Sequence, residues 1–247
     1  MHLNTIRRII CLVLVFLSFS LFSQEQISLI SWNIRDFGKT KNNEELDRMA
    51  EILRDADIVA IQEVVAGYGG AQAVAKLTDN LNRKGAKWDY VISNPTNSSN
   101  YVTERYAFIW KTKNIKIKNR GLLIADLDSL VDREPFYLDF YVKGIKLTVL
   151  NFHSRPHDKN PESEILAITD YLKIIGYKAS INNQSTTLKQ SCDGNDYLNY
   201  PIDNIFHSKN VSKIEGKAID FVKVCENLEE ARNLSDHLPV YLSFSLN

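Results

Sequence analysis

A small set of polar residues stands where short apolar runs end: Asn33 in SWNIRDFG, Glu63 in DIVAIQEV, His153 in IKLTVLNFH, Asp203 in IDNIFHS, and the pair Asp236-His237 in SDHLPVYLSF. Imidazoles titrate near neutrality and can take or give a proton at working pH. Glu63 is the odd member, because an acid directly after Ile-Val-Ala-Ile-Gln lies against an apolar sheet and has to be paired, protonated or metal-bound there. A hard cation such as Mg²⁺, which takes one or two carboxylates and several waters, suits it. The set therefore points to acid–base work beside a divalent cation. Each member alone also has an ordinary reading: Asn at a strand end and Asp-His before a strand are common turn formers.

The elements that would carry these residues follow from periodicity. Leu238, Val240, Leu242 and Phe244 alternate, so the C-terminal run is a half-buried strand with Pro239 near its start, where a missing N–H is tolerated. ISLISWNI and DIVAIQEV read as strands around a helix, NNEELDRMAEILRDA, with Leu46, Met49, Ile52 and Leu53 on one face. AQAVAKLTDNLN is a second helix, followed by the strands WDYVIS, YAFIWK and IKIKN. PFYLDFYV and IKLTVLNFH form a hairpin across Lys143-Gly144. PESEILAITDYLKIIGY reads as one helix with Pro in its first turn and Gly176 near its end. A polar loop, NNQSTTLKQSCDGNDYLNYP, leads to IDNIFHS and KAIDFVKV, read as strands. The expected architecture is α+β: two packed mixed β-sheets flanked by helices, with a site where strand ends converge.

SWNIRDFG, IQEV, TERYAFIWK, REPFY, NFHSRP, IDNIF and SDHLPV, in this order and spacing, resemble the endonuclease/exonuclease/phosphatase superfamily, closest to its deoxyribonuclease I branch. The resemblance implies a four-layered α/β sandwich over residues 24–247 that hydrolyses phosphodiesters with a divalent cation, Mg²⁺ first and Ca²⁺ or Mn²⁺ as alternatives. It implies that Glu63 and Asn33 hold the metal, with Asp236 an acid beside it. His237 would be the general base, held by Asp203, and His153 the second histidine, supported by Glu104. Arg35 and Arg133 match phosphate-contacting arginines, and Tyr101 an aromatic that packs on nucleic-acid sugars. The implied partner is DNA, bound by a monomer without lasting membrane association. The chemistry suits the set, since an anionic phosphodiester repels hydroxide and requires charge neutralisation, a base for water and donors for the equatorial oxygens.

Two departures qualify the resemblance. Where the deoxyribonuclease pattern places a groove-reading arginine two residues after the metal Glu, this chain has Val65. The family's buried strand ending in Gly-Asp-x-Asn, expected after the helix that follows HSRP, has no match between residues 168 and 180. About 30 residues, a strand, a loop and a helix of usual length, are absent there. Asp193-Gly194-Asn195 has similar letters but no apolar strand before it. The sandwich is therefore expected to lack one central strand. Two further readings stay open: a catalytically dead relative that binds phosphate or nucleic acid, and a phosphatase or phospholipid-head-group hydrolase of the same superfamily.

The rest of the sequence sets the context. At 247 residues and 44% hydrophobic, the chain suffices for one large core. Residues 1–23, a basic start followed by an unbroken apolar stretch and a polar sequel, read as a signal peptide for secretion or export to the periplasm, with an uncleaved membrane anchor as the alternative. Its removal takes away Arg7 and Arg8 and no acid, leaving a slight acidic excess that does not advertise bulk attraction to nucleic acid. Cys192 and Cys225 remain, and sequence leaves open whether they pair.

Overall fold

The computed structural model describes residues 26–99, 102–173 and 176–246; the expected leader and Tyr101 lie outside the described residues. One sheet holds β1 (Gln26–Phe37), β2 (Ile58–Val65), β3 (Trp88–Ile92), β4 (Glu104–Lys111), β13 (Val211–Ala218) and β14 (Val240–Leu246), in the order β13-β14-β1-β2-β4-β3. β1 and β2 run parallel, so a crossover must join them. That crossover is helix α1 (Asn43–Leu53), started by a capping box in which Asn42 and Glu45 satisfy each other's backbone N–H groups. It buries Leu46, Met49, Ala50 and Leu53. With helix α2 (Tyr68–Asn82) it covers one face of the sheet, in a cluster that includes Ile30, Trp32, Val59 and Ile61.

The opposite face packs on a second sheet, antiparallel throughout its described pairs. There β7 (Phe136–Val142) pairs with β5 (Ile115–Ile117), β6 (Leu122–Leu123) and β8 (Ile145–Asn151). The turn from β7 to β8 uses Lys143 and Gly144, both at positive φ (48° and 86°), as a two-residue hairpin requires. Between the sheets, Ile58, Phe108, Trp110, Val240, Leu242 and Phe244 meet Phe136, Leu138 and Phe140. Phe108 stacks on Phe136 at 5.4 Å. Helix α3 (Pro161–Tyr171) lays Ile168 against the outer side of the second sheet, beside Tyr137 and Leu150. The order helix, sheet, sheet, helix is the expected four-layered sandwich.

The second layer comes in two pieces. Among the described residues β8 pairs only with β7, while β9 (Lys178–Ala179) and β12 (Phe206–His207) form a separate pair. A strand between them would join the two, which is where the sequence lacks one. Apolar side chains are left uncovered on β12 and on α3: Phe206 is 60% exposed and Leu166 61%.

Several boundaries differ from the sequence reading. The long helix expected from Pro161 stops at Tyr171, and Lys173 and Gly176 have positive φ. The strand expected at KAIDFVKV falls earlier, as β13, because the Asp220 carboxylate accepts the N–H groups of Val222 and Lys223 and turns the chain. The polar loop contains a hairpin, β10 (Leu188–Asp193) and β11 (Asp196–Leu198), with Gly194 at its turn. A disulfide between Cys192 and Cys225 fastens this hairpin to the 3-10 turn Cys225–Asn227, which leads into a short helix, α4 (Leu228–Leu234), that periodicity did not reveal.

Candidate active site

Glu63 is aimed by two irregularities in one place. The register of β1 with β2 shifts after Asn33–Gln62, and that of β2 with β4 shifts between Ile61 and Val64. Glu63 itself has φ 59°, a left-handed conformation that costs a non-glycine residue about 1–3 kcal/mol and tends to occur at functional sites. The effect on facing is direct. Val59 and Ile61 point into the helix-side core, strict alternation would send Glu63 after them, and the bulge gives that place to Val64. The carboxylate is thereby turned out to the strand end, where Oε1 accepts from Asn33 Nδ2 (2.9 Å) and Oε2 from the Asp36 N–H (3.3 Å).

Asn33 is 4% exposed, and its Oδ1 is buried without a hydrogen-bond partner. A buried acceptor left open beside a carboxylate suits a hard cation with oxygen ligands. Among the described residues no group of three or more His, Cys, Asp or Glu forms a metal cluster, so an ion held here would draw on Glu63 and Asn33 and keep water in its shell.

His153 ends the run that begins with β8. Its Nδ1 lies 2.8 Å from Glu104 Oε2 at the start of β4, and its Nε2 lies 3.9 Å from Glu63 Oε1. Glu104 also meets Arg133 Nε at 3.0 Å and accepts the Glu63 N–H at 3.2 Å, with its side chain only 8% exposed. Tyr106, wholly buried beneath, accepts the His153 N–H, and burial followed by the charge of Glu104 holds its phenol well above the ordinary range. One shell further out, the fully buried Glu164 of α3 accepts the N–H groups of Asp132 and Arg155, next to Arg133 and two residues from His153.

His237 lies three residues before β14. Its Nδ1 is 2.9 Å from Asp203 Oδ2. Burial lowers the affinity of this imidazole for a proton, but the hydrogen bond and charge of Asp203, with the charges of Asp236 and Glu63, outweigh it, so the pKa is held above its ordinary value. Ser235 Oγ accepts the His237 N–H (3.0 Å) and donates to the Asn33 carbonyl (2.7 Å), while Trp32 Nε1 donates to the His237 carbonyl (2.9 Å). The buried Lys41 caps the end of α4 through the carbonyls of Asn233 and Leu234. Sequence gave no signal for these supports beyond the serine's place before Asp-His.

The remaining sequence candidates are placed as follows. Asp236 faces Arg35 at 3.6 Å and Arg232 at 4.0 Å. Arg35 is half exposed, whereas Arg133 is buried against Glu104 and the Val102 carbonyl, with one guanidinium nitrogen unpartnered. Asp193 and Asn195 lie exposed at the β10–β11 turn. A groove of about 630 Å³ opens from Arg35 along the disulfide, Gln190, Ser191 and Arg232.

No family model matches the chain. Its sequence is similar to human (Homo sapiens) deoxyribonuclease gamma, 26% identical over 170 residues, covering 65% of this chain and 54% of that protein. It is similar also to sheep (Ovis aries) deoxyribonuclease-1, 29% identical over 168 residues, covering 64% of this chain and 62% of that protein. The chain thus spans about half the length of the curated relatives it matches. The solved structure of an endonuclease/exonuclease/phosphatase family protein from Leptotrichia buccalis covers 89% of this chain and is covered whole (100%), at 14% identity and TM-score 0.57. The fold is that of the endonuclease/exonuclease/phosphatase superfamily, and the sequence relatives lie in its deoxyribonuclease I branch. Both histidine–carboxylate pairs and the Asn33–Glu63 pair are assembled, and no strand ending in Gly-Asp-x-Asn is present among the described residues.

Proposed function

We propose that this chain is a metal-dependent phosphodiester hydrolase acting on DNA, and that it works outside the reducing cytoplasm. One observation carries the chemistry. Two imidazoles, each held at Nδ1 by a carboxylate, accompany a carboxylate and an open amide oxygen. A carboxylate at Nδ1 fixes the ring proton there and leaves Nε2 free to exchange one. His237 Nε2 takes a proton from the attacking water, and Asp203 stabilises the imidazolium that results. His153, held by Glu104 with its Nε2 toward Glu63, donates to the phosphate or to the departing oxygen as the imidazolium, giving up the Nε2 proton and keeping the one at Nδ1. Glu63 and Asn33 would hold the divalent cation, which supplies neutralisation of the phosphate's charge when bound. The names of the relatives support DNA as the substrate, and the Cys192–Cys225 disulfide together with the leader-like residues 1–23 supports export. Among the described residues no helix is long and apolar enough to cross a membrane.

The absent Gly-Asp-x-Asn segment favours slow turnover, since loss of one donor to a developing oxyanion costs about 10²- to 10³-fold. The test is hydrolysis of plasmid DNA and of bis(p-nitrophenyl) phosphate with Mg²⁺ and with chelator. Slow Mg²⁺-dependent cleavage that disappears in Glu63→Ala supports the reading. No cleavage of either substrate, with phosphate or oligonucleotide still bound, would replace it with a binding protein on the same fold.

A further inference from the structure

Asp203 and His237 are 34 residues apart, and the segment Thr186–Leu188 joins them. On one side it forms a ladder with the chain around the imidazole: the Leu238 N–H donates to the Thr186 carbonyl (2.6 Å), the Leu188 N–H donates to the Asp236 carbonyl (2.8 Å), and Thr187 is the bridge partner of His237. On the other side Thr186 Oγ1 accepts the N–H groups of Asp203 (2.9 Å) and Ile202 (3.2 Å). The residue is wholly buried (0% exposed). Its hydroxyl grips the backbone of the acid, and its carbonyl grips the backbone just past the base.

We propose that Thr186 is the positioning residue of the His237–Asp203 pair, setting the separation of acid and imidazole on which the proposed hydrolysis depends; the inference rests on that reading of the site. The side-chain requirement is an oxygen that accepts two N–H groups at a fixed distance from its own backbone, which threonine and serine meet and valine, of the same shape, does not. With valine the Asp203 and Ile202 N–H groups lose their buried acceptor and the acid shifts to find another. Arg232 Nη1 anchors the segment further by donating to the carbonyls of Leu188 and Lys189 (3.0 and 2.9 Å).

The test compares Thr186→Val and Thr186→Ser in the full chain. On bis(p-nitrophenyl) phosphate with Mg²⁺, valine is expected to lower kcat by about 10- to 100-fold with KM within about 2-fold, the scale of a small misplacement at a catalytic group. Serine is expected to restore kcat to within about 2-fold of the parent. A second readout needs no turnover: the proton NMR signal of the His237 Nδ1–H, identified by its loss in Asp203→Ala, is expected to vanish in valine and persist in serine. If the parent cleaves nothing, the hydrolase reading fails while the NMR arm still decides the positioning. Valine with that signal intact and, in an active parent, kcat unchanged would overturn the proposal. Should valine not fold, Thr186→Cys, the counterpart of the serine variant with sulfur as a weak acceptor, is expected to lose the signal and kcat as valine would, and a cysteine variant matching serine in both would overturn the proposal.

Discussion

The two histidine–carboxylate pairs have nearly the same contact, 2.8 Å for His153 with Glu104 and 2.9 Å for His237 with Asp203, and quite different surroundings. Glu104 is shared: a buried arginine and the Glu63 backbone lean on it as well as the imidazole, and Glu164 braces the neighbouring loops. Asp203 is more open, and His237 is the only ionisable partner of its carboxylate among the described residues; a neutral threonine hydroxyl holds its backbone. A carboxylate whose charge is already divided positions a ring and stabilises a fold. One reserved for a single imidazole strengthens that ring as a base. On the proposed reading of the site, the asymmetry favours His237 for proton abstraction and His153 for orientation of the phosphate or leaving group.

The strongest way to break this contrast is to remove Glu63, which lies 3.9 Å from His153 Nε2 and whose charge acts on His237. Glu63→Ala is expected to lower DNA cleavage by about 10³-fold and to abolish its Mg²⁺ dependence; calorimetry showing unchanged Mg²⁺ affinity would show that the cation is held elsewhere. Next, His237→Ala should cost about 10²- to 10⁴-fold in rate while Mg²⁺ affinity stays near that of the parent, and cleavage at parental speed would remove His237 from the base role.

The carboxamide variants sharpen the comparison itself. Glu104→Gln leaves Arg133 as a buried unpaired charge, so denaturant unfolding should show a loss of about 3 kcal/mol or more. Asp203→Asn removes a carboxylate that is more exposed than Glu104 and holds no buried arginine, so it should cost clearly less in unfolding than Glu104→Gln while lowering kcat. Equal stability losses in the two variants would dissolve the distinction. The smallest effect is a pH dependence. Because the His237 pKa is raised in the folded chain, the stability this residue contributes is fully present below its unfolded value, about 6.5, and fades as pH rises through the folded value. In chelator, the stability lead of the parent over His237→Gln should therefore narrow above neutral pH, and a lead that widens instead would reverse the sign assigned to Asp203.

Much of this was legible in the sequence, for reasons that differ by region. Strands with one or two buried faces announced themselves, as in Ile58–Ile61 and in the alternation of Val240, Leu242 and Phe244. β13 did not, since nearly every side chain of Val211–Ala218 reaches solvent and an edge strand of that kind has no apolar face to show. The polar residues at strand ends marked the place of the site. How Glu63 escapes the core depends on a bulge at a non-glycine residue with positive φ, for which a single sequence has no sign. Thr186, Glu164 and the bond from Ser235 to the Asn33 carbonyl were invisible for another reason: they act by hydrogen bonds to backbone far away in the chain, and such bonds leave no local pattern.

The disulfide has a consequence for assembly of the site. It joins residues 33 apart, Cys192 and Cys225, and the loop it closes contains Asp203 but not His237. Closing a loop of that size removes roughly 3–4 kcal/mol of chain entropy from the unfolded ensemble, and the benefit falls on the segment that carries Asp203 while His237 lies outside the ring. In a reducing medium the acid-bearing segment would regain its freedom first, whereas Glu63, His153 and Glu104 lie wholly outside the covalent ring. The redox state of the surroundings thus acts on one histidine–carboxylate pair and leaves the other untouched.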